Sequence, residues 1–373
     1  MSVELEAARA EGDLAVVVVG GGLAGLAAAT FLARTGRRVT LLEKARAPGG
    51  RAVTQPAGPG GSWRFNLGPH ALYRGGPAER ILKELGVTPR GRMPATAGGF
   101  AVEAGVAHTL PAGPLSLLAT GLLPLAAKLE AARLFAGLGR VDPAPWASRT
   151  VRAWVDQTVR QPAMRRLLHA LTRVATYADE PDRQSAATAI GQLQRVARHG
   201  VLYLDGGWQS LVDGLAGAAR AAGVRAVTGV RAASVVLEEI GGGRAAVRGV
   251  RLEDGTTLAA AAAVLAVDPE TACGLTRGGA DPSLRAWASG AVPVRAATLD
   301  VALSRLPRAR ALFALGIDRP LYVSVHSAAA RLAPDGGAVI HVARYLGAGD
   351  AGDEAELEAL LDGLQPGWRE AVV

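Results

Sequence analysis

Cysteine is nearly missing from this chain. Cys273 stands alone, so no internal disulfide can form and nothing points to oxidising export. A Cys/His metal cluster is excluded with it, because the six histidines are dispersed and lack ligand spacing. Aromatic residues make up 4% of the chain, too few for base-stacking platforms. Lysine is confined to Lys44, Lys83 and Lys128, and the formal charge of +8 comes from scattered arginines in no run longer than two. That surplus reads as solvated surface, with no nucleic-acid partner. An apolar run of bilayer length is lacking too, since a span takes about 20 residues. The most hydrophobic stretch, 115–127, is broken by Gly121 and Pro124 and ends at Lys128. It reads as a buried helix, with a membrane-surface role as the alternative. The opening MSVELEAARAEGD is acidic without an apolar core, so it is no signal peptide, and a cytoplasmic protein is the reading.

What is present is concentrated in residues 16–51, VVVVGGGLAGLAAATFLARTGRRVTLLEKARAPGGR. An apolar strand at 16–19 meets Gly20-x-Gly22-x-x-Gly25, then an Ala-rich helix, then a second strand at 38–42 closed by Glu43. In such a unit the first glycine makes the tight turn and the second lets backbone approach a pyrophosphate. The third lets helix and strand pack closely. The helix N-terminus, at Leu23 and Ala24, supplies unpaired N–H donors and partial positive charge. An acid roughly 20 residues on suits ribose hydroxyls and disfavours a 2′-phosphate.

The glycine spacing alone is weak: with 48 glycines in 373 residues, about 0.8 matches arise by chance. A second match, Gly347-x-Gly349-x-x-Gly352, carries Asp350, Asp353 and Glu354, which repel a pyrophosphate. It reads as a surface turn, with Asp353 and Glu354 at a helix N-terminus. Only the first match has strand, helix, second strand and acid together.

Gly49-Gly50-Arg51, with Thr54 behind it, follows where a plain nicotinamide-dependent dehydrogenase would continue into its next crossover. Two glycines expose backbone donors and Arg51 brings a fork suited to phosphate; a turn with a solvated Arg is the plainer alternative. With these residues the chain resembles the FAD-dependent amine oxidase and phytoene desaturase superfamily. The resemblance implies an α/β fold: a Rossmann-like, doubly wound FAD-binding domain with an inserted helical plus β-sheet substrate domain. It also implies FAD as cofactor, Glu43 at the adenosine ribose, Lys44 as a further cofactor-binding residue, and Gly50 and Arg51 along the pyrophosphate and flavin.

Two later stretches extend it. Phe65-Asn66-Leu67-Gly68-Pro69-His70-Ala71-Leu72-Tyr73 is similar to the segment that family places beside the isoalloxazine ring, which puts Gly68, Pro69 and His70 there. By itself it is a strand entering a Gly-Pro turn, with His70 an ordinary loop histidine. Tyr203-Leu204-Asp205-Gly206-Gly207-Trp208-Gln209-Ser210-Leu211 is similar to the family's Gly-Gly turn leading into a helix, here 210–222. A strand at 227–231 would then lie near the adenine, with Val230 as backbone contact.

The expected organisation is discontinuous: 1–74 FAD-binding, 75–200 helical insert, 201–290 FAD-binding again, and 291–373 a substrate-domain sheet and helix. Residues 77–199 read as mainly helical. A hairpin is expected at 247–252 and 256–260 about Asp254-Gly255, and a parallel strand at 262–267. Strands of a second sheet are expected at 296–303, 321–326 and 339–345, then a helix at 354–364. The resemblance also leads one to expect a final strand, Gly-Asp turn and small-residue helix facing the flavin. The text ends at Val373 with nothing of the kind, so the FAD site is expected to lack one wall.

No acid–base pair stands out. His70 and Arg295 are the weak catalytic candidates; Arg295 lies where amine-oxidising relatives carry a lysine, and an arginine stays protonated. The expected function is FAD-dependent dehydrogenation of a small apolar, isoprenoid-like, or amine substrate by hydride transfer to flavin N5. A nicotinamide-dependent Rossmann dehydrogenase and a non-catalytic nucleotide-binding protein are the alternatives.

Overall fold

The computed structural model describes residues 15–95, 98–242, 244–276 and 281–373. They form two compact units, each assembled from separated segments. The first holds the described residues up to Val53, with Arg80–Pro89 and Trp208–Pro293; the second holds Thr54–Glu79, Arg90–Gly207 and Val294–Val373. The four-part division by function concerns cofactor contact, not compactness, and remains a proposal.

The first unit is built on four parallel strands. β1 (Ala15–Val19) leads through the glycine turn into α1 (Leu23–Arg34) and back to β2 (Arg38–Glu43). After the long excursion, α2 (Gln209–Ala221), β3 (Arg225–Thr228) and β4 (Ala262–Leu265) complete it. The spatial order is β3-β2-β1-β4, all parallel. Val16, Val17, Val18 and Val19 are all buried, the continuous apolar run of a strand covered on both faces. α1 packs on α2. The guanidinium of Arg34 ties the end of α1 to Glu84 O and Leu85 O at 2.9 and 3.1 Å. β1 is the point where strand order reverses, β2 to one side and β4 to the other. In open α/β sheets the crevice beyond the carboxyl ends at that point is where ligands bind.

The Asp254-Gly255 hairpin forms as expected, Arg244–Leu252 pairing antiparallel with Thr257–Ala259. A further strand, Ala232–Gly241, pairs with the first of these and was not expected from the sequence.

The second unit centres on a six-stranded sheet. Its order is Arg295–Leu303, Ala338–Leu346, Leu321–Val325, Phe313–Gly316, Gly99–Glu103, Val106–Thr109. The three expected strands and the helix Glu354–Leu364 are present. Residues 77–199 are less uniformly helical than expected: 99–109 forms a hairpin turned by Ala104 and Gly105, both at positive φ. Side chains alternate across the sheet. Ile340 and Val342 join Leu357, Leu360 and Leu361 of the terminal helix in one core. Ala343 and Tyr345 turn the other way, into a core with Trp154, Met164 and Leu168 of the helical layer.

The stretch 115–127 overturns one expectation. It is not a buried helix: Leu115 is 83%, Leu118 72% and Leu125 73% exposed, on the helices Pro114–Ala119 and Leu125–Leu138. Leu122 and Leu123, between the helices, turn inward, as do Thr120 and Ala127. Among the described residues no helix is long and apolar enough to cross a membrane.

Candidate functional site

At the carboxyl end of β1, each glycine of the turn meets a different constraint. Gly20 sits at φ +105°, where a Cβ would also lie 2.5 Å from Ala266 O. A Cβ on Gly25 would lie 1.8 Å from Gly20 O, so helix and turn touch backbone to backbone. Gly22 is different. It has an ordinary φ of −72° as N-cap of α1, and a Cβ there would meet nothing within 4 Å. Nothing within the chain calls for glycine at that position; an external group lying against the backbone would. The geometry fits a dinucleotide pyrophosphate, for which the open face of the second glycine and the helix N-terminus are the matching features.

Glu43 is buried at the end of β2. Its Oε2 accepts Gly21 N–H at 2.7 Å and its Oε1 accepts Ala45 N–H at 2.8 Å. Two N–H donors fix the carboxylate and leave each oxygen a lone pair for hydroxyl donors. Gly49 N–H donates to Gly21 O at 2.8 Å, and Gly22 and Gly49 form a bridge. The Gly49-Gly50 backbone is thereby laid along the glycine turn. Lys44, Gly50 and Arg51 are exposed beside it. Val230 N–H is already donated to Glu43 O at 3.0 Å, so any nucleotide contact there falls to its carbonyl.

In the second unit three of the sequence stretches converge. Thr54 Oγ1 donates to Asn66 Oδ1 at 2.8 Å. Gly207, at φ +78°, comes so close that a Cβ would lie 2.4 Å from Thr54 Oγ1 and 2.7 Å from Asn66 Oδ1. The Gly68-Pro69-His70 turn follows, with Gly68 and Pro69 buried and His70 half-buried. His70 Nδ1 lies 3.0 Å from Gly68 O. A Cβ on Gly68 would lie 3.2 Å from Thr298 Cγ2, which seats this turn against one face of the strand Arg295–Leu303. Arg295 is on the other face, in phase with Ala297 and Leu299; it is exposed, and its Nη2 donates to Asp350 O at 3.3 Å. The two weak catalytic candidates are therefore not brought together.

A polar cluster that the sequence reading missed lies on the Thr298 face. Asp300 and His341 are register partners on adjacent antiparallel strands, with Asp300 Oδ1 2.6 Å from His341 Nδ1. His341 is fully buried, and its Nε2 has no hydrogen-bond partner among the described residues. The His326 ring packs edge-on against it with centroids 4.5 Å apart, and stacks on Tyr203 at 4.0 Å. Tyr203 Oη lies 3.0 Å from Ser324 Oγ, and Tyr322 Oη 3.4 Å from His326 Nε2. Burial, reinforced by His341 and His70, holds the His326 imidazole well below its ordinary pKa, and burial pushes the Tyr203 and Tyr322 phenols up. The periodicity of strand 339–345 was the available signal: a histidine in phase with the core face of an apolar strand.

A family model described as flavin containing amine oxidoreductase matches residues 23–298. The chain belongs to that family, whose members are FAD-dependent oxidoreductases. The fold agrees: an oxidoreductase from Methanosarcina mazei superposes with a TM-score of 0.73 at 19% identity, covering 96% of this chain and 86% of that one. At that identity the likeness is one of fold. Phytoene dehydrogenase of Streptomyces griseus is 53% identical over 57 residues, 15% of this chain and 11% of that protein. L-amino-acid oxidase of Naja atra is 51% identical over 69 residues, 18% of this chain and 13% of that protein. The matched stretches thus span well under two thirds of those relatives. The cofactor is a flavin, and a flavin borne by a dinucleotide-binding fold is FAD. The expected nicotinamide alternative is set aside by this membership.

Proposed function

We propose that this chain is an FAD-dependent oxidoreductase that dehydrogenates a small substrate, apolar and isoprenoid-like or an amine, at an electron-rich C–H. The observation that carries the reading is Gly22, a glycine that neither φ nor packing demands, set where a pyrophosphate would lie. Gly20 and Gly25 shape the turn, and the N–H groups of Gly22, Leu23 and Ala24 with the α1 dipole hold the phosphates. Glu43 accepts the ribose hydroxyls, Lys44 lies beside the adenosine, and Val230 meets the adenine through its carbonyl. Gly50 offers backbone and Arg51 a guanidinium fork to the pyrophosphate. Gly68, Pro69 and His70 line the ring. Bound flavin supplies a hydride acceptor at N5; the protein orients the substrate and excludes water.

The test is a visible spectrum of the purified protein, with extraction and identification of bound cofactor. A flavin band with FAD in the extract is expected; a colourless protein that takes up no added FAD would overturn the reading. The exposed leucines of 115–125 support a second element, contact with a membrane surface from which an apolar substrate is drawn.

A further inference from the structure

Beside the turn 308–311 the second unit holds an open cavity of about 320 Å³, and every residue that lines it belongs to that unit. We propose that this cavity is a binding site for a small apolar molecule carrying one carboxylate, of the fatty-acid type. The proposal goes beyond the flavin reading and does not depend on it.

Three observations carry it. First, the lining is apolar with charge at one wall. Phe100 and Ala107 come from the two strands of the hairpin 99–109, Leu364 from the end of the terminal helix, and Ala311 from the turn; Arg308 and Arg310 supply the charge. Small-molecule sites begin at about 300 Å³, so the space suits a short alkyl chain and not a peptide segment. Second, the charge has no partner within the chain. No carboxylate lines the cavity, and among the described residues neither Arg308 nor Arg310 forms an ion pair. Asp362, next to Gly363 in sequence, is taken by Trp368 Nε1 and by Arg369. Arg308 Nη1 donates to Gly363 O at 3.3 Å, which leaves the rest of its fork for a carboxylate. Third, the charged wall is fixed in advance. Gln365 is fully buried; its Oε1 accepts Arg308 N–H at 2.8 Å, and its Nε2 donates to Arg308 O at 3.1 Å and Ala311 O at 2.7 Å. Both ends of the turn are therefore held before any ligand arrives, which lowers the ordering cost of binding. An alkyl chain would remove the apolar lining from water, and its carboxylate would supply the counter-charge. A neutral molecule meets only the first need and an inorganic anion only the second.

The experiment is calorimetric titration of the purified full chain with octanoate, with octanol and acetate as controls. A single saturable site for octanoate is expected, weakening as salt is raised, with each control bound about tenfold more weakly or worse. Arg310→Gln removes an exposed side chain that has no hydrogen bond or ion pair among the described residues. Ala107→Phe fills the cavity from an exposed position on the edge strand. Each should weaken octanoate binding about tenfold. Photolabelling of the unmutated protein with a diazirine-bearing alkyl carboxylate serves should either variant fold poorly; the label is expected on peptides containing Phe100, Ala311 or Leu364. Absence of octanoate binding overturns the proposal, as does octanol bound as tightly as octanoate. Unchanged affinity in both variants, or a label confined to other parts of the chain such as the leucines of 115–125, overturns it too. Failure of the chain to bind FAD would strike the flavin reading alone.

Discussion

Glu43 Oε2 accepts the N–H of Gly21 at 2.7 Å, so the acid that closes the second strand is bonded to the turn that closes the first. A Cβ on Gly21 would lie 2.9 Å from Glu43 Cβ, which makes glycine the condition for that approach. Sequence motif and tertiary contact are here one feature: acid and glycines share a single hydrogen-bonded corner at the mouth of the crevice.

Glu43→Ala removes the proposed ribose acceptor and leaves the Gly21 and Ala45 N–H groups without their partner. FAD affinity is expected to fall by one or two charge-assisted hydrogen bonds, about 1.5–3 kcal/mol each. Glu43→Gln, which keeps an acceptor oxygen, should lose less. Calorimetric titration with FAD checks both, and unchanged affinity in the alanine variant would remove Glu43 from the site.

Gly22 and Gly25 invite a paired comparison. Gly25→Ala drives a methyl to 1.8 Å from Gly20 O and should destabilise the first unit severely, the overpacking cost being about 1–3 kcal/mol or more. Gly22→Ala meets open space at an ordinary φ. Its melting temperature without FAD should fall only by the modest cost of an alanine at the N-cap, about 1 kcal/mol, far less than for Gly25→Ala, while FAD binding weakens at least tenfold. A Gly22→Ala protein that binds FAD normally would mean that no phosphate rests there.

Much of this corner was legible in the sequence because it is local. Gly20, Gly22, Gly25, the strands about them and Glu43 fall within one β-α-β unit, whose chemistry follows from spacing. The helix Glu354–Leu364 was legible for the same reason, with Asp353 at its N-cap accepting Ala355 N–H. The Asp300–His341 pair was not. Its members are 41 residues apart and meet only through the register of two antiparallel strands, which no single-strand periodicity fixes. The meeting of Thr54, Asn66 and Gly207 was hidden likewise, each residue being unremarkable in its own stretch. The leucines of 115–125 were misread because an apolar helix shows which face it would bury and not whether a partner exists to cover it.

The leucine surface makes a prediction of its own. Leu115, Leu118 and Leu125 are exposed, Arg133 is exposed nearby on the same helix as Leu125, and Glu130 is turned inward, its oxygens accepting Arg160 N–H and Gln161 N–H. An apolar patch with a basic neighbour suits an anionic bilayer. Cosedimentation with vesicles containing phosphatidylserine is expected for the natural protein and should fall several-fold when all three leucines become serine. Equal recovery in the supernatant for both would exclude membrane contact through this surface.

The buried imidazole of His326 is expected to make the second unit sensitive to acid. Its folded pKa is well below the ordinary value, chiefly through burial, with His341 and His70 adding to it. The unfolded chain therefore binds a proton near pH 6.5 that the folded one refuses. The sign follows: this contribution is fully present above that pH and is lost as pH falls towards the depressed folded value, at up to about 1.4 kcal/mol per pH unit. Replacing His326 by phenylalanine keeps a ring against Tyr203 and removes the titrating group. Denaturant unfolding between pH 7 and pH 5 should then show a shallower loss of stability for His326→Phe than for the natural protein. Parallel curves for the two would mean that the histidine takes up its proton without unfolding the cluster, and that acid sensitivity resides elsewhere.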